Sequence, residues 1–350
     1  MKKISVFLDA NILSWFYGEV KSSPKKFDLK KEIDSLKRIG FQNSLDIEFF
    51  YNYRDPLKKF LEEYANKVID DFKNFIAWGD ILVLDEARKN VENFRKFFKN
   101  SNEKQDDIEH ILPSIIFFAK KKIKYIITLD VKFANRLSEL HGKIKKDNNF
   151  EQRLLKIRPD FYEIKIMIPT EFEKFLLRHQ LNQITSQNIG KNIAKQVDLI
   201  KNIGMSHSII LKQEAIVGNP STFQFNCFMY ALNLINNFSV EKIMKEYKQI
   251  FIGSEFMKYL TENKLQEVDF SKKKDGDIII YYSKHKLEHA GKIFSTRIMS
   301  KWGTGHMWEH DIFEIPITYG NTYRIYKQIS KKDALNYFIN YARSKGAKIH

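Results

Sequence analysis

Four acids stand where a chain could gather oxygen donors around a divalent cation. Asp9 ends the apolar run Ile4 to Leu8, and Asp130 ends Ile126-Ile127-Thr128-Leu129. Each is a carboxylate at the C-terminal end of an apolar strand, the edge at which open α/β sheets hold their ligands. Glu86 follows Asp85 and the apolar Ile81 to Leu84, and Asp107 opens the apolar stretch that leads to the Asp130 strand. Carboxylates are hard ligands suited to Mg²⁺ or Mn²⁺. A cation in such a set lowers the pKa of a bound water and neutralises charge building on a phosphate under attack. Without the cation the like charges repel, and at least one of the acids is expected to titrate high. A plainer reading stands beside this one. An Asp at a strand end can be the N-cap of the next helix, and Glu86 in a first helical turn is favoured by the helix dipole. Asp106 and Glu109 lie so close to Asp107 that the choice of ligand among the three stays open.

A second group could do thiol chemistry. Cys227 is the single cysteine of the chain, and Asn226-Cys227-Phe228-Met229-Tyr230-Ala231-Leu232 reads as the start of an amphipathic helix. A helix N-terminus favours the thiolate. A strand is expected over Ile278 to Tyr282 after the turn Asp275-Gly276-Asp277, and a further one begins at His289-Ala290-Gly291-Lys292-Ile293. An imidazole on such a strand can take the thiol proton and hold the ion pair, which predicts a thiol reactive even near pH ~6. The alternatives are a buried small hydrophobe, which is what free cysteine usually is, and a hydrogen-bonded strand histidine. His306 and His310, near Trp302 and Trp308, could hold a metal, but no cysteine lies beside them to complete a set.

The acid-bearing half resembles the PIN-domain ribonucleases. The opening strand reads Leu8-Asp9-Ala10-Asn11, and a second strand end reads Thr128-x-Asp130-x-x-Phe133. Glu86 to Asn90 reads E-A-R-x-N, Asp107-x-Glu109-His110 opens a helix, and Ile164 to Leu176 reads as the closing strand and helix. The resemblance covers roughly residues 1–180. It implies an α/β/α sandwich around a central parallel sheet. Asp9, Glu86, Asp107 and Asp130 would then be catalytic metal ligands, and Asn11 and Thr128 would orient them. It further implies Mg²⁺ or Mn²⁺ as cofactor, and single-stranded or structured RNA such as tRNA as substrate. Many such nucleases are toxins, so a homodimer or an inhibitory partner is compatible with it. Two departures are a longer insert, expected to be helical, at residues 20–78, and a span from Asp107 to Asp130 about one helical turn longer than usual.

The other half resembles the papain-like hydrolases of the CHAP and NlpC type, over roughly 215–325. "NCFMYAL", "GDIIIYY" and "HAGKI" are the matching pieces. That resemblance implies an α+β domain with Cys227 as nucleophile, His289 as base, and a peptide or amide substrate. The place of the third, orienting residue is held by Ser300 or Lys301, which departs from the family's carboxylate, amide or histidine; Glu309 or His310 could substitute. A rival reading therefore makes this half a cysteine hydrolase or acyltransferase and the first half its targeting module.

These groups need two domains to position them, and 350 residues suffice. The expected organisation is a PIN-like unit over 1–180, a helical connection over 181–204, and a papain-like α+β unit over 205–350. Helices are expected near Leu29 to Ile39 and over Tyr53 to Trp78, where apolar residues recur at helical spacing. The net charge is +16 and the pI about 9.5, a balance that favours a polyanionic partner, although lysine-rich faces are often only solvated. One cysteine excludes an internal disulfide and suits a reducing compartment. The apolar runs are too short to span a bilayer, and Asp9 interrupts the first too early for a secretion signal. The expectation is a cytoplasmic protein with no membrane partner.

Overall fold

The computed structural model describes residues 4–8, 28–40, 47–52, 81–82, 124–129, 131, 141–142, 145–146, 148, 151–152, 155, 159–187, 193–215, 225–303 and 305–349. They fall into two compact units, Met1–Leu176 with Gly204–Ser206, and Leu177–Ile203 with His207–His350. The chain is mixed α/β, with a parallel sheet in the first unit and an antiparallel one in the second.

The first unit holds β1 (Ile4–Leu8), α1 (Leu29–Gly40), β2 (Ile47–Asn52), β3 (Ile81–Leu82), β4 (Tyr125–Ile127) and β5 (Lys165–Met167). Its five strands run in the order β3-β2-β1-β4-β5, and every pairing is parallel. Val6, Ile126, Ile127, Ile166 and Met167 are buried, as expected of a parallel sheet whose faces are covered. The order reverses direction between β1 and β4, where Leu8 lies opposite Ile127. The Thr128 N–H donates to Met167 O at 3.0 Å, so the β4–β5 edge is held one residue past the strand.

A helix α2 (Pro169–Gln187) follows β5 at once. Proline suits the first helical position, because the N–H it lacks would be unpaired there. Glu32 of α1 is buried and caps α2, accepting from the Thr170 N–H and hydroxyl at 2.8 Å each. Arg38 grips buried Glu173 in a fork, Nε to Oε1 at 2.5 Å and Nη2 to Oε2 at 2.9 Å, and the Ser206 N–H adds a third bond at 2.9 Å. Charge burial costs less when each oxygen is satisfied in this way. Of the insert expected to be helical at 20–78, the structure describes residues 28–40 and 47–52. They contain α1, as anticipated, but also β2, which pairs with β1 along its whole length. Apart from Glu48, the run Ile47 to Tyr51 is β-branched and aromatic, and strand propensity favours it. The expected helix over Tyr53 to Trp78 lies outside the described residues.

The second unit holds α3 (Ile193–Lys201), β6 (Ile210–Gln213), α4 (Cys227–Ala231), α5 (Phe238–Glu246), α6 (Ser254–Asn263), β7 (Glu267–Val268), β8 (Ile278–Ser283), β9 (Lys286–Phe294), β10 (Arg297–Lys301), β11 (Met307–His310), β12 (Thr322–Tyr326) and α7 (Lys331–Ser344). Its seven strands pair antiparallel in the order β6-β11-β10-β9-β8-β12-β7. Strands β8 and β9 meet at a two-residue turn, Lys284 and His285, both at positive φ (48° and 71°). That is the hand that matches strand twist.

Successive side chains of a strand point to opposite faces. On one face Ile278, Ile280, Leu287, Ala290 and Met307 join a core with α4, with Phe256, Met257 and Leu260 of α6, and with Phe338 of α7. The opposite face carries Tyr281 paired with His289, and Ser300 paired with Trp308. Gly291 lets β9 and β10 close there, since a Cβ would come within 2.9 Å of Ile298 Cγ2 and 3.0 Å of Ser300 Cβ.

Candidate functional site

The four acids of the expected metal site, Asp9, Glu86, Asp107 and Asp130, lie outside the described residues, as does Asn11. What is described is the strands that precede Asp9 and Asp130 in the sequence. The chain leaves β1 at Leu8 directly into Asp9, and leaves β4 at Ile127 three residues before Asp130. Those two strand ends are hydrogen-bonded neighbours at the reversal of the strand order. Thr128, expected to orient a ligand, is fully buried beside β5. Among the described residues no group of three or more His, Cys, Asp or Glu could hold a metal, and no helix is long and apolar enough to cross a membrane.

The thiol site can be built atom by atom. Asn226 precedes α4, and its carboxamide oxygen accepts from the Phe228 and Met229 N–H groups at 3.0 Å each. Its amide donates to Ile252 O at 2.8 Å, which ties the helix start to the α5–α6 connection. Cys227 is thereby fixed as the first residue of α4, against β9 and β10. It is 7% exposed, and burial pushes its thiol up to about 12, although backbone hydrogen bonds from Ala290 and Phe228 and the charge of Lys301 act in the other direction. A five-residue helix sums few peptide dipoles. The thiol expected to be ionised near pH 6 is therefore held protonated.

His289 is placed differently from the expectation. Its strand neighbour Ala290 faces α4 in the core, so the imidazole projects from the other face of β9. There it stacks on Tyr319, centroids 4.2 Å apart and planes at 21°, with Tyr281 at 5.8 Å. Burial first, and His310 second, hold its pKa well below the ordinary value, and Nε2 is buried with no hydrogen-bond partner. A neutral imidazole whose Nε2 is unpartnered is not the imidazolium that the sequence predicts beside Cys227.

Ser300, expected as the orienting residue, serves another histidine. His310 Nδ1 faces Asp311 O at 2.7 Å, which makes Nδ1–H the donor, so Nε2 accepts from the Ser300 hydroxyl at 2.8 Å. Trp302 Nε1–H donates to the same Ser300 oxygen at 3.1 Å. Glu309 is engaged by Arg297 at 2.7 Å and Lys212 at 2.9 Å. His306 accepts from the Ala215 N–H at Nδ1 and must then donate to Ile193 O at 2.8 Å through Nε2, so neither nitrogen is free for a metal.

Burial brings His310 down to about 4 from an ordinary 6.5, which has a stability consequence. Between those values the unfolded chain binds the proton and the folded one does not. The contribution is thus complete above pH ~6.5 and lost as pH falls toward ~4, at ~1.4 kcal/mol per pH unit for one group. Urea unfolding of the second unit is expected to lose about 2–3 kcal/mol between pH 7 and 4, and His310→Gln to flatten that slope.

Two groups near the thiol stand out. Lys301 is 1% exposed at the end of β10; its Nζ lies 4.0 Å from the Phe225 ring centroid and donates to Gly305 O at 2.7 Å. Burial lowers it to about 8, and Cys227 pulls the other way. Tyr319 is held high by burial and then by Cys227, and its hydroxyl meets the Gly303 backbone. Tyr319 went unread in the sequence because it lies in a 3₁₀ turn, Ile317–Tyr319, within a loop. The one signal was the turn-forming Pro316 and Gly320 around it.

No curated protein and no solved structure matches the chain. The sequence model of a family described as a domain of unknown function (DUF7689) matches residues 216–327, less than half of the chain, and this stretch contains Cys227, His289, Lys301 and Tyr319.

Proposed function

We propose that the chain is a divalent-metal-dependent endoribonuclease whose site lies on a PIN-like first unit. The observation that carries this reading is the parallel β1–β4 pairing at the point where the strand order reverses. Open α/β sheets bind ligands in the crevice beyond the strand ends at such a switch point. In the sequence Asp9 directly follows β1, and Asp130 comes three residues after the end of β4. On this reading Asp9, Glu86, Asp107 and Asp130 hold one or two Mg²⁺ or Mn²⁺ ions, with Asn11 and Thr128 as orienting groups. When bound, the metal supplies a water of lowered pKa and neutralises charge on the scissile phosphate. The +16 charge suits a polyanionic substrate, and RNA is the class proposed.

Metal removal tests it. RNA cleavage by the full chain is expected to stop in EDTA and to return with excess Mg²⁺ or Mn²⁺ but not Ca²⁺. Calcium's loose geometry and longer bonds would leave the phosphate and water poorly aligned. Cleavage at an undiminished rate in EDTA would sink the proposal.

A second reading concerns the other unit, as a papain-like hydrolase or acyltransferase of amides or esters with Cys227 as nucleophile. What favours it is the thiol's place beside the Ala290 backbone hydrogen bond and a buried cation, Lys301. Against it stands the position of His289, which leaves the thiol's proton acceptor to be found elsewhere.

A further inference from the structure

We propose that Lys301, not His289, is the proton acceptor of Cys227, so that the second unit carries a thiol–amine pair; this rests on the hydrolase reading of that unit. The placement follows from the strands. Met299 pairs with Lys292, and Gly291 abuts Ser300, so the next step of the register sets Ala290 beside Lys301. Ala290 belongs to the core face that receives α4, and Lys301 pairs with Met307, another member of that face. Lys301 Nζ sits over Phe225, two residues before Cys227, and the Ala290 backbone bonds the thiol. His289 projects from the opposite face, against Tyr281 and Tyr319.

Burial decides the chemistry. A lone thiolate in an apolar interior pays the full cost of an unpaired charge. A thiolate beside an ammonium is net neutral, so proton transfer within the pair is the cheaper route to a nucleophile. Burial also brings Lys301 down to about 8, the range in which a lysine works as a base. Among the described residues the titratable groups coupled to the Cys227 thiol are Lys301 and Tyr319, the latter also stacked on His289, and the Gly305 carbonyl accepts from the amine among its contacts. The neutral amine takes the thiol proton, and the sulfur lone pair attacks the carbonyl carbon of an amide or ester. The carbonyl π pair moves to oxygen and then returns, expelling the amine or alkoxide, which takes the proton back from Lys301. Water then attacks the thioester and gives a proton to Lys301; the sulfur leaves with the C–S bond pair and takes that proton back, which frees the carboxylic acid and restores thiol and neutral amine.

The pair titrates as a unit. As pH rises through about 8 it loses one proton, and a fraction of the singly protonated pair is thiolate and ammonium. Iodoacetamide labelling of the native full chain, from pH 6 to 11, reads this directly, and the single cysteine leaves no background. The labelling rate is expected to rise tenfold per pH unit and level off above about 8. Lys301→Met should lose at least tenfold at pH 8 and keep rising beyond pH 10. Lys301→Arg, which keeps a cation that does not titrate here, should also lose the step at 8 while circular dichroism stays native. His289→Gln should keep the wild-type profile. A step at pH 8 that survives Lys301→Met and Lys301→Arg, a profile that moves with His289→Gln, or a wild-type thiol that labels only when denatured would each overturn the pair. A profile that follows Lys301 with no turnover of amide or ester substrates would leave the pair standing and remove the hydrolase reading.

Discussion

Asp130→Asn and Asp9→Asn should each lower RNA cleavage by about 10²–10³-fold while leaving thermal unfolding of the protein unchanged. Asparagine keeps the shape and removes the charge, so the site would lose part of the field that holds a divalent cation. Several kcal/mol of transition-state stabilisation by the metal, at 1.36 kcal/mol per decade, gives an effect of that size. The two strand ends are neighbours in the sheet, Leu8 beside Ile127, and a shared ion would couple the two positions. Residues that act as a unit are strongly non-additive. The double variant should therefore be little worse than either single one. Independent losses that multiply would mean that the two acids serve different steps, and full activity of Asp130→Asn would remove the metal cluster from the mechanism.

The parallel sheet was partly legible. Ile4 to Leu8, Ile81 to Leu84, Ile126 to Leu129 and Ile164 to Ile168 are mostly apolar runs that read as strands; β1, β3 and β5 lie within them, and β4 begins one residue earlier, at Tyr125. β2 was not read, because Glu48 breaks the apolar run and the segment sits among stretches of helical spacing. Tertiary pairing with β1 fixed it as a strand. In the second unit β9 starts at Lys286, three residues before the expected His289. Its turn, Lys284-His285, lacks the Asn-Gly or Asp-Gly pair that announces such a hairpin. That error bears on the site. Residue types placed Cys227 at a helix start and His289 on a strand, and both hold. Which face of the strand carries the imidazole depends on register, and a shift of one residue exchanges the faces. Pattern alone could not tell Ala290 from His289 as the residue opposite the thiol. Lys301 was legible as a residue at the third position of the site, but its burial was not, since a lysine in sequence reads as solvated.

Gly320→Ala is expected to destabilise the second unit by about 4 kcal/mol, a large share of a domain's roughly 5–15 kcal/mol. Gly320 has φ 124° and ψ 159°, a region essentially closed to any residue with a Cβ, where strain costs roughly 1–3 kcal/mol. The neighbourhood adds to this. An added Cβ would stand 2.8 Å from both the nitrogen and the oxygen of Tyr282, and these are strand backbone atoms that cannot turn aside. Relief would require moving the loop off β8, and overpacking of that kind costs a further ~1–3 kcal/mol. The loop is also pinned from the other side, since the Arg178 guanidinium donates to the carbonyls of Ile315 and Gly320. Tyr319 rides on the same loop and stacks on His289, so the variant should disturb the ring pair before it unfolds the unit. Gly346→Ala supplies the comparison. Its φ is also positive, at 94°, but nothing lies within 4 Å of the new Cβ, so only strain remains and about 1–2 kcal/mol is expected. Urea midpoints for the two variants separate the contributions. Equal shifts would mean that backbone conformation alone sets the cost and that the approach of Gly320 to Tyr282 is not a tight contact.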